Sequence, residues 1–259
     1  MKIDTLFQTL RQRGEVALMP YLTAGYPTLD GSLDALRRIA DAGADLIEVG
    51  VPFSDPVADG PTIQASSRRA LAQGTRLEII LAAFSRCPLQ VPLVLMSYVN
   101  PLLAYGRERL FDDLAGAGFC GLIVPDLPLE ESDRWRADAR EHGLGWIPLI
   151  APTSGIERGV AIAAQARGFA YYVSVSGTTG TRRRLPARLT SDLNALRART
   201  ETPVAVGFGV NNGAQVRELA PHCDGVIVGS RLIEALRDDE PLESLIRELK
   251  QATKEPTPC

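Results

Sequence analysis

Eight short apolar runs punctuate the chain, at 17–22, 46–51, 92–98, 121–125, 146–151, 171–175, 203–209 and 225–229. Each is too short for a helix, is bounded by Gly, Pro or Asp, and lacks the alternation of a half-exposed strand. Continuous apolar runs of this length fit parallel strands buried on both faces. The stretches between them carry helical spacing. In the stretch 30–42, Leu33, Leu36, Ile39 and Ala40 form one apolar stripe. The same reading predicts helices over 77–85, 107–117, 131–142, 156–166, 190–199, 213–220 and 231–250, with an extra helix inside 62–73. Gly43, Gly118, Gly143 and Gly168 stand where helix C-caps are expected.

Eight strand–helix units, with strand starts separated by roughly 22 to 46 residues and no linker between them, predict an α/β fold. The expected architecture is a single (β/α)8 TIM barrel occupying residues 1–259. An open doubly wound sheet is the alternative, but the turn after the first strand lacks the usual glycine fingerprint. The amphipathic segment 3–13 precedes the first strand and is expected to be an extra N-terminal helix closing the bottom of the barrel. A length of 259 residues suits one such barrel.

Composition removes several classes of function. Hydrophobic residues make up 45% and charged residues 23%, enough apolar material for a large core. A net charge of −3 gives nucleic acid no basic footprint. No apolar run approaches the length of a membrane span. Cys87, Cys120, Cys223 and Cys259 are scattered, without a paired spacing, and only His142 and His222 accompany them. They read as free thiols of a reducing cytoplasm, with no zinc cluster.

In a barrel of this kind the chemistry sits at the C-terminal ends of the strands. The polar residues expected there include Thr23, Ser97, Tyr98, Asn100, Asp126, Tyr171 and Ser174. Glu48 stands out because it interrupts an otherwise apolar strand. A carboxyl inside the barrel must find partners or have its pKa raised, and a raised pKa suits a group that works as both acid and base. Asp59 precedes Gly-Pro-Thr, and its local pattern is that of a helix N-cap. Asp55 reads as a turn residue. Glycines after the last strands, Gly207, Gly209 and Gly229, with the hydroxyl of Ser230, are placed to cradle a phosphate. The basic run Arg182, Arg183, Arg184 reads as a solvated surface, and Trp135 and Trp146 read as packing residues.

The run 48–64, Glu-Val-Gly-Val-Pro-Phe-Ser-Asp-Pro-Val-Ala-Asp-Gly-Pro-Thr-Ile-Gln, resembles the signature of the tryptophan synthase α-subunit family. Similar segments at 20–27, 125–131, 151–154 and 207–210 follow in the expected order. The resemblance implies retro-aldol cleavage of indole-3-glycerol phosphate to indole and glyceraldehyde 3-phosphate in tryptophan biosynthesis. It implies that Glu48 is the acid–base, that Asp59 stabilises the indolenine cation, and that Tyr171 lies beside Glu48. It further implies that Thr179, Gly180, Phe208, Gly209, Gly229 and Ser230 contact substrate and phosphate. No metal or organic cofactor is implied for this chain; pyridoxal phosphate belongs to the β subunit of an αββα heterotetramer. The loop after the sixth strand departs from the pattern: Thr178 stands where Val often precedes Thr-Gly, and a basic stretch follows. A free-standing lyase with the same residues, and a barrel that only binds a partner, are the alternative readings.

Overall fold

The computed structural model describes residues 3–173, 187–207 and 209–254. Helix α1 (Ile3–Gln12) leads into strand β1 (Ala17–Thr23), helix α2 (Leu29–Asp41) and strand β2 (Ile47–Gly50). Helices α3 (Pro61–Ala72) and α4 (Leu77–Arg86) follow, then β3 (Leu93–Met96), α5 (Val99–Tyr105), α6 (Arg107–Gly116), β4 (Phe119–Ile123) and α7 (Asp133–Glu141). The second half holds β5 (Gly145–Ile147), β6 (Leu149–Ile150), α8 (Gly155–Ala163), β7 (Ala170–Val173), α9 (Ala187–Arg197) and β8 (Val204–Gly207). It ends with α10 (Gly213–Leu219), β9 (Gly225–Val228), α11 (Ser230–Arg237) and α12 (Leu242–Thr253).

All named strand pairs are parallel, in the order β5-β4-β3-β2-β1-β9-β8-β7-β6. The two ends of that order are consecutive pieces of one extended segment, so the sheet closes into a barrel. The fifth predicted strand is therefore present but split. Pro148 has no N–H to give a neighbour, while its carbonyl still accepts the Tyr171 N–H at 3.0 Å.

The apolar runs are continuous because both strand faces are buried, each against a different core. Ala17, Met19 and Tyr21 of β1 point into the barrel with Val94, Met96, Ile123, Ile147, Ala205 and Ile227. Leu18 and Leu22 point outward to the helices, as do Ile47, Val49, Leu93, Leu95, Val204 and Val206. This is the two-residue period of a strand, with no polar face. Helix α1 behaves as expected: Ile3, Leu6, Phe7 and Leu10 join the inner core, and the Phe7 ring lies 5.6 Å from that of Phe169. These side chains stop the bottom of the barrel, each stabilising the fold by roughly 1.5–3 kcal/mol on area grounds.

Other expectations shift in detail. The predicted helix 231–250 is two helices, α11 and α12. Asp239 takes φ +54° between them and Pro241 caps α12, so the helical backbone cannot run through. Helix α5 was not expected. Gly43, Gly118 and Gly143 follow helices with positive φ, whereas Gly168 (φ +118°) lies five residues beyond the end of α8, whose cap is Ala164. The helix expected over 62–73 is α3. Cys87, Cys120 and Cys223 are free thiols, and Cys259 lies outside the described residues. Trp135 and Trp146 are buried packing residues.

Candidate active site

Strand β2 carries Glu48 on its inward face, in register with Tyr21 of β1 and Val94 of β3. Only 2% of Glu48 is exposed, and its Oε2 has no hydrogen-bond partner among the described residues. A carboxylate there would lose its hydration without compensation. Burial, and to a smaller degree the charge of Asp59, pushes its pKa up to about 8. Glu48 thus keeps its proton at neutral pH.

Asp59 lies in the segment that joins β2 to α3 and is partly buried. The helix-capping role suggested by its local pattern does not hold. The N-cap of α3 is Gly60, no side chain caps it, and Pro61 occupies the first helical position. The Asp59 carboxyl instead pairs with the Tyr98 hydroxyl, which also accepts the Ala58 N–H at 3.0 Å. Burial raises the Asp59 pKa to about 6, and the Tyr98 hydrogen bond opposes the rise. Asp59 is mostly ionised at neutral pH. Two carboxyls on one strand–loop unit thus stand in opposite protonation states.

Two tyrosines complete the interior around Glu48. Tyr171 of β7 feels burial first and then the charges of Glu48 and Asp59, and all three hold its proton on. Tyr21 of β1 is raised well above the ordinary value by burial and then by Asp59. Each phenol rests on a glycine of the next strand. The Tyr21 hydroxyl occupies the space a Cβ on Gly50 would need, and the Tyr171 hydroxyl lies 2.5 Å from where one on Gly207 would stand. Gly50 and Gly207 are therefore spaces for phenols, a packing role the glycine pattern did not reveal. Gly229 has a related reason: a Cβ there would lie 3.2 Å from the Tyr21 ring.

Along the opposite rim, Gly209 needs φ +71° and has open space around it, so backbone conformation alone requires glycine. Ser230 is the first residue of α11, whose N-cap Gly229 provides no side chain to the free N–H groups of the first turn. Thr179, Gly180 and Phe208 lie outside the described residues, as do Ser174 and Arg182–Arg184. Asp126 is structural, accepting the Val99 N–H at 2.9 Å at the start of α5. Asp55 pairs locally with the Ser54 hydroxyl, as a turn residue should.

Sequence reading placed Tyr98 at the end of the third strand without giving it a role, and did not single out Tyr21. Both roles were legible in principle. Ala17-Met19-Tyr21 and Val94-Met96-Tyr98 alternate inward, so both tyrosines end an inward row at the mouth.

A cavity of about 680 Å³ opens at the mouth between the segments after β4 and β6. Ala58, Asp59, Leu127, Pro148, Leu149 and Val173 are among its walls. Most of this lining is apolar, but Asp59, Asp126, Ser132, Ser154 and Arg158 also border it, and Glu48 lies outside it. Among the described residues no group of three or more His, Cys, Asp or Glu side chains is placed to hold a metal ion. Nor is any helix among them long and apolar enough to cross a membrane.

Comparison with known proteins agrees with this picture. The family model described as "Tryptophan synthase alpha chain" matches residues 7–257. The chain is 48% identical over 255 residues to the tryptophan synthase alpha chain of Synechococcus elongatus, covering 96% of each. It is 49% identical over 239 residues to that of Carboxydothermus hydrogenoformans, covering 92% of this chain and 90% of the other. Among solved structures, a tryptophan synthase from Mycobacterium tuberculosis superimposes with a TM-score of 0.91 at 40% identity, covering 97% of this chain and 98% of that one. The tryptophan synthase subunit alpha of Legionella pneumophila gives 0.88 at 33% identity, with 98% of each chain covered.

Proposed function

This chain belongs to the tryptophan synthase alpha chain family, and from that premise we propose that Glu48 and Asp59 carry out its α reaction. In that reaction indole-3-glycerol phosphate is cleaved to indole and glyceraldehyde 3-phosphate, a step in tryptophan biosynthesis. The observation that carries the proposal is the pair of carboxyls at the barrel mouth, with the pKa of Glu48 at about 8 and that of Asp59 at about 6.

The chemistry asks for that split. Carbon–carbon cleavage needs the ring carbon protonated first, because a neutral indole, itself an enamine, cannot accept the bonding electrons, whereas the iminium formed by protonation can. Glu48, protonated and with its Oε2 unpartnered among the described residues, gives its proton to that carbon. The ring becomes an indolenine cation, and ionised Asp59 accepts its N–H and stabilises the charge. Glu48, now a carboxylate, takes the proton of the adjacent glycerol hydroxyl. The C–O bond becomes a carbonyl, the C–C bond breaks, and its electrons restore the aromatic ring. Glu48 ends protonated, as it began, and no redox step occurs. The carboxyls of the chain itself supply the chemistry, and the pyridoxal phosphate of the complete synthase resides in the β subunit.

The indole ring occupies the apolar cavity beside Leu127 and Leu149. Tyr171 packs next to the reacting carbon. The phosphate lies at the N-terminus of α11, on the backbone of Gly229 and Ser230, with Gly209 beside it; Thr179, Gly180 and Phe208, which lie outside the described residues, are assigned to it by the family resemblance alone. The reaction is cytoplasmic, with the chain as α subunit of an αββα heterotetramer, a sensible arrangement because indole is apolar and lost by diffusion unless passed on.

Indole release from indole-3-glycerol phosphate by the purified chain, alone and with a β subunit added, tests this reading. Slow release accelerated by the partner is expected. Fast release indifferent to the partner would mark a free-standing lyase, and no release in either case would overturn the catalytic assignment.

A further inference from the structure

Asp59 sits on a segment with little core of its own. Between the end of β2 and the start of α3, Ser54, Asp55, Val57 and Ala58 are exposed, Val57 by 83%. A carboxylate that must meet a cationic ring at one point needs firmer support than such a loop gives by itself. Two neighbours brace it. On α3, Gln64 Nε2 donates to the Asp59 carbonyl oxygen at 2.9 Å. At the end of β3, the Tyr98 ring lies 5.2 Å from that of Phe53, and the Tyr98 hydroxyl accepts the Ala58 N–H at 3.0 Å.

Tyr98 is itself fixed on both sides. It is 1% exposed. The Ser97 N–H before it donates to the Ile123 carbonyl of β4 at 3.0 Å, and the Val99 N–H after it donates to the Asp126 carboxylate at 2.9 Å. The direction of its hydrogen bonds is also fixed. An amide N–H can only donate, so the phenol oxygen accepts from Ala58 and keeps its own proton for the Asp59 carboxyl, its other partner. One oxygen thus ties the main chain of residue 58 and the side chain of residue 59 to the end of β3.

We propose that Tyr98 is a positioning residue for Asp59: its ring and oxygen hold the loop, its proton holds the carboxylate, and Gln64 steadies the main chain between them. The proposal rests on the reading of Asp59 as the group that stabilises the indolenine cation. It adds β3 to the site, acting through Asp59. Asp59 faces Glu48 on β2, Tyr21 on β1, Tyr98 after β3 and Tyr171 on β7, each of which feels its charge. Asp126 after β4 and Arg158 on α8 border the same cavity. Burial pushes the Asp59 pKa up, and the Tyr98 hydrogen bond opposes the rise.

Tyr98→Phe keeps the ring and removes the hydroxyl. Ala58 is exposed, so water takes over its N–H and the fold is retained. The ionised carboxyl loses a donor, so the Asp59 midpoint should rise by about one pH unit from its value of about 6. Carbon NMR of the chain isotopically labelled at its aspartate carboxyls, assigned by difference from Asp59→Asn, reads that midpoint without substrate. Gln64→Met frees the Asp59 carbonyl but leaves the phenol in place, and should move the midpoint by less than half as much. At about pH 8, where Asp59 is ionised in both proteins, Tyr98→Phe should still lower kcat for indole release by about tenfold and leave KM within about twofold, the pattern of an interaction lost in the transition state.

An unmoved midpoint in Tyr98→Phe, or a shift in Gln64→Met of half that size or more, would overturn the proposal and leave Tyr98 as packing. So would a kcat unchanged by Tyr98→Phe although Asp59→Asn abolishes it. Because the midpoint needs no substrate, it stands apart from the catalytic reading, which falls separately if Asp59→Asn leaves indole release unchanged.

Discussion

The two ends of the barrel interior are built from the same strands to opposite purposes. At the bottom, Ile3, Leu6, Phe7 and Leu10 of α1 fill the barrel with carbon. At the mouth, a few residues further along the same strands, the interior holds Glu48, Tyr21, Thr23 and Tyr171, with one carboxyl oxygen left unpartnered. The bottom satisfies the rule that buried groups be apolar or paired; the mouth breaks it. The difference shows where stability has been given up for a proton held at neutral pH.

The comparison can be broken from the mouth first. Glu48→Gln keeps the shape and removes the proton. We expect it to lower indole release by about 10²–10⁴-fold, the usual worth of general acid–base catalysis, in a steady-state assay. A variant within a few-fold of the parent would remove the functional half of the contrast.

The bottom should respond in the other currency. Phe7→Ala opens a cavity against Phe169 and should cost about 3–5 kcal/mol of stability in a denaturant titration. Indole release per folded molecule should stay within about twofold if the two ends are separable. A matching loss of activity in folded material would show that the bottom reaches the site.

A smaller effect sharpens the picture of the rim. Ser230→Asp places a negative charge at the first position of α11, where the helix dipole tolerates it, so the fold should not suffer. Beside a bound phosphate the same charge should raise the Michaelis constant by about tenfold, or about 1.4 kcal/mol. An unchanged constant would place the phosphate elsewhere.

The barrel was legible in the sequence because its signal is repeated in every unit: short apolar runs, and helical stripes between them. What was not legible depended on single residues. Pro148 splits a run that reads as one strand, because the missing N–H matters only once neighbours are known. Helix α5 is seven residues long and contains Pro101, too short to show a period, and a proline in the first turn is compatible with a helix. Asp238 to Pro241 divide two helices whose stripes read as one. In the site, Glu48 was visible because a charge in an apolar strand is a local contradiction. The work of Asp59 was hidden from its local pattern and came only from the family resemblance, since Asp before Gly-Pro looks like a cap until the Tyr98 hydroxyl is seen beside it. The spaces at Gly50 and Gly207 join residues from different strands, so no local pattern contains them.

The most direct test of the central claim is the unfolding free energy of the parent chain and of Glu48→Gln, measured side by side from pH 4 to pH 9. A carboxyl with its folded pKa raised to about 8 binds a proton that the unfolded chain releases near its ordinary value. Its contribution to stability is therefore full at low pH, declines as pH rises above the unfolded value, and levels off past the folded one. The account predicts that the Gln variant gains on the parent through that window, by on the order of 3 kcal/mol at pH 7. Parallel curves, or a Gln variant less stable than the parent at neutral pH, would mean that Glu48 is an ordinary satisfied buried group and not a proton held at the expense of the fold.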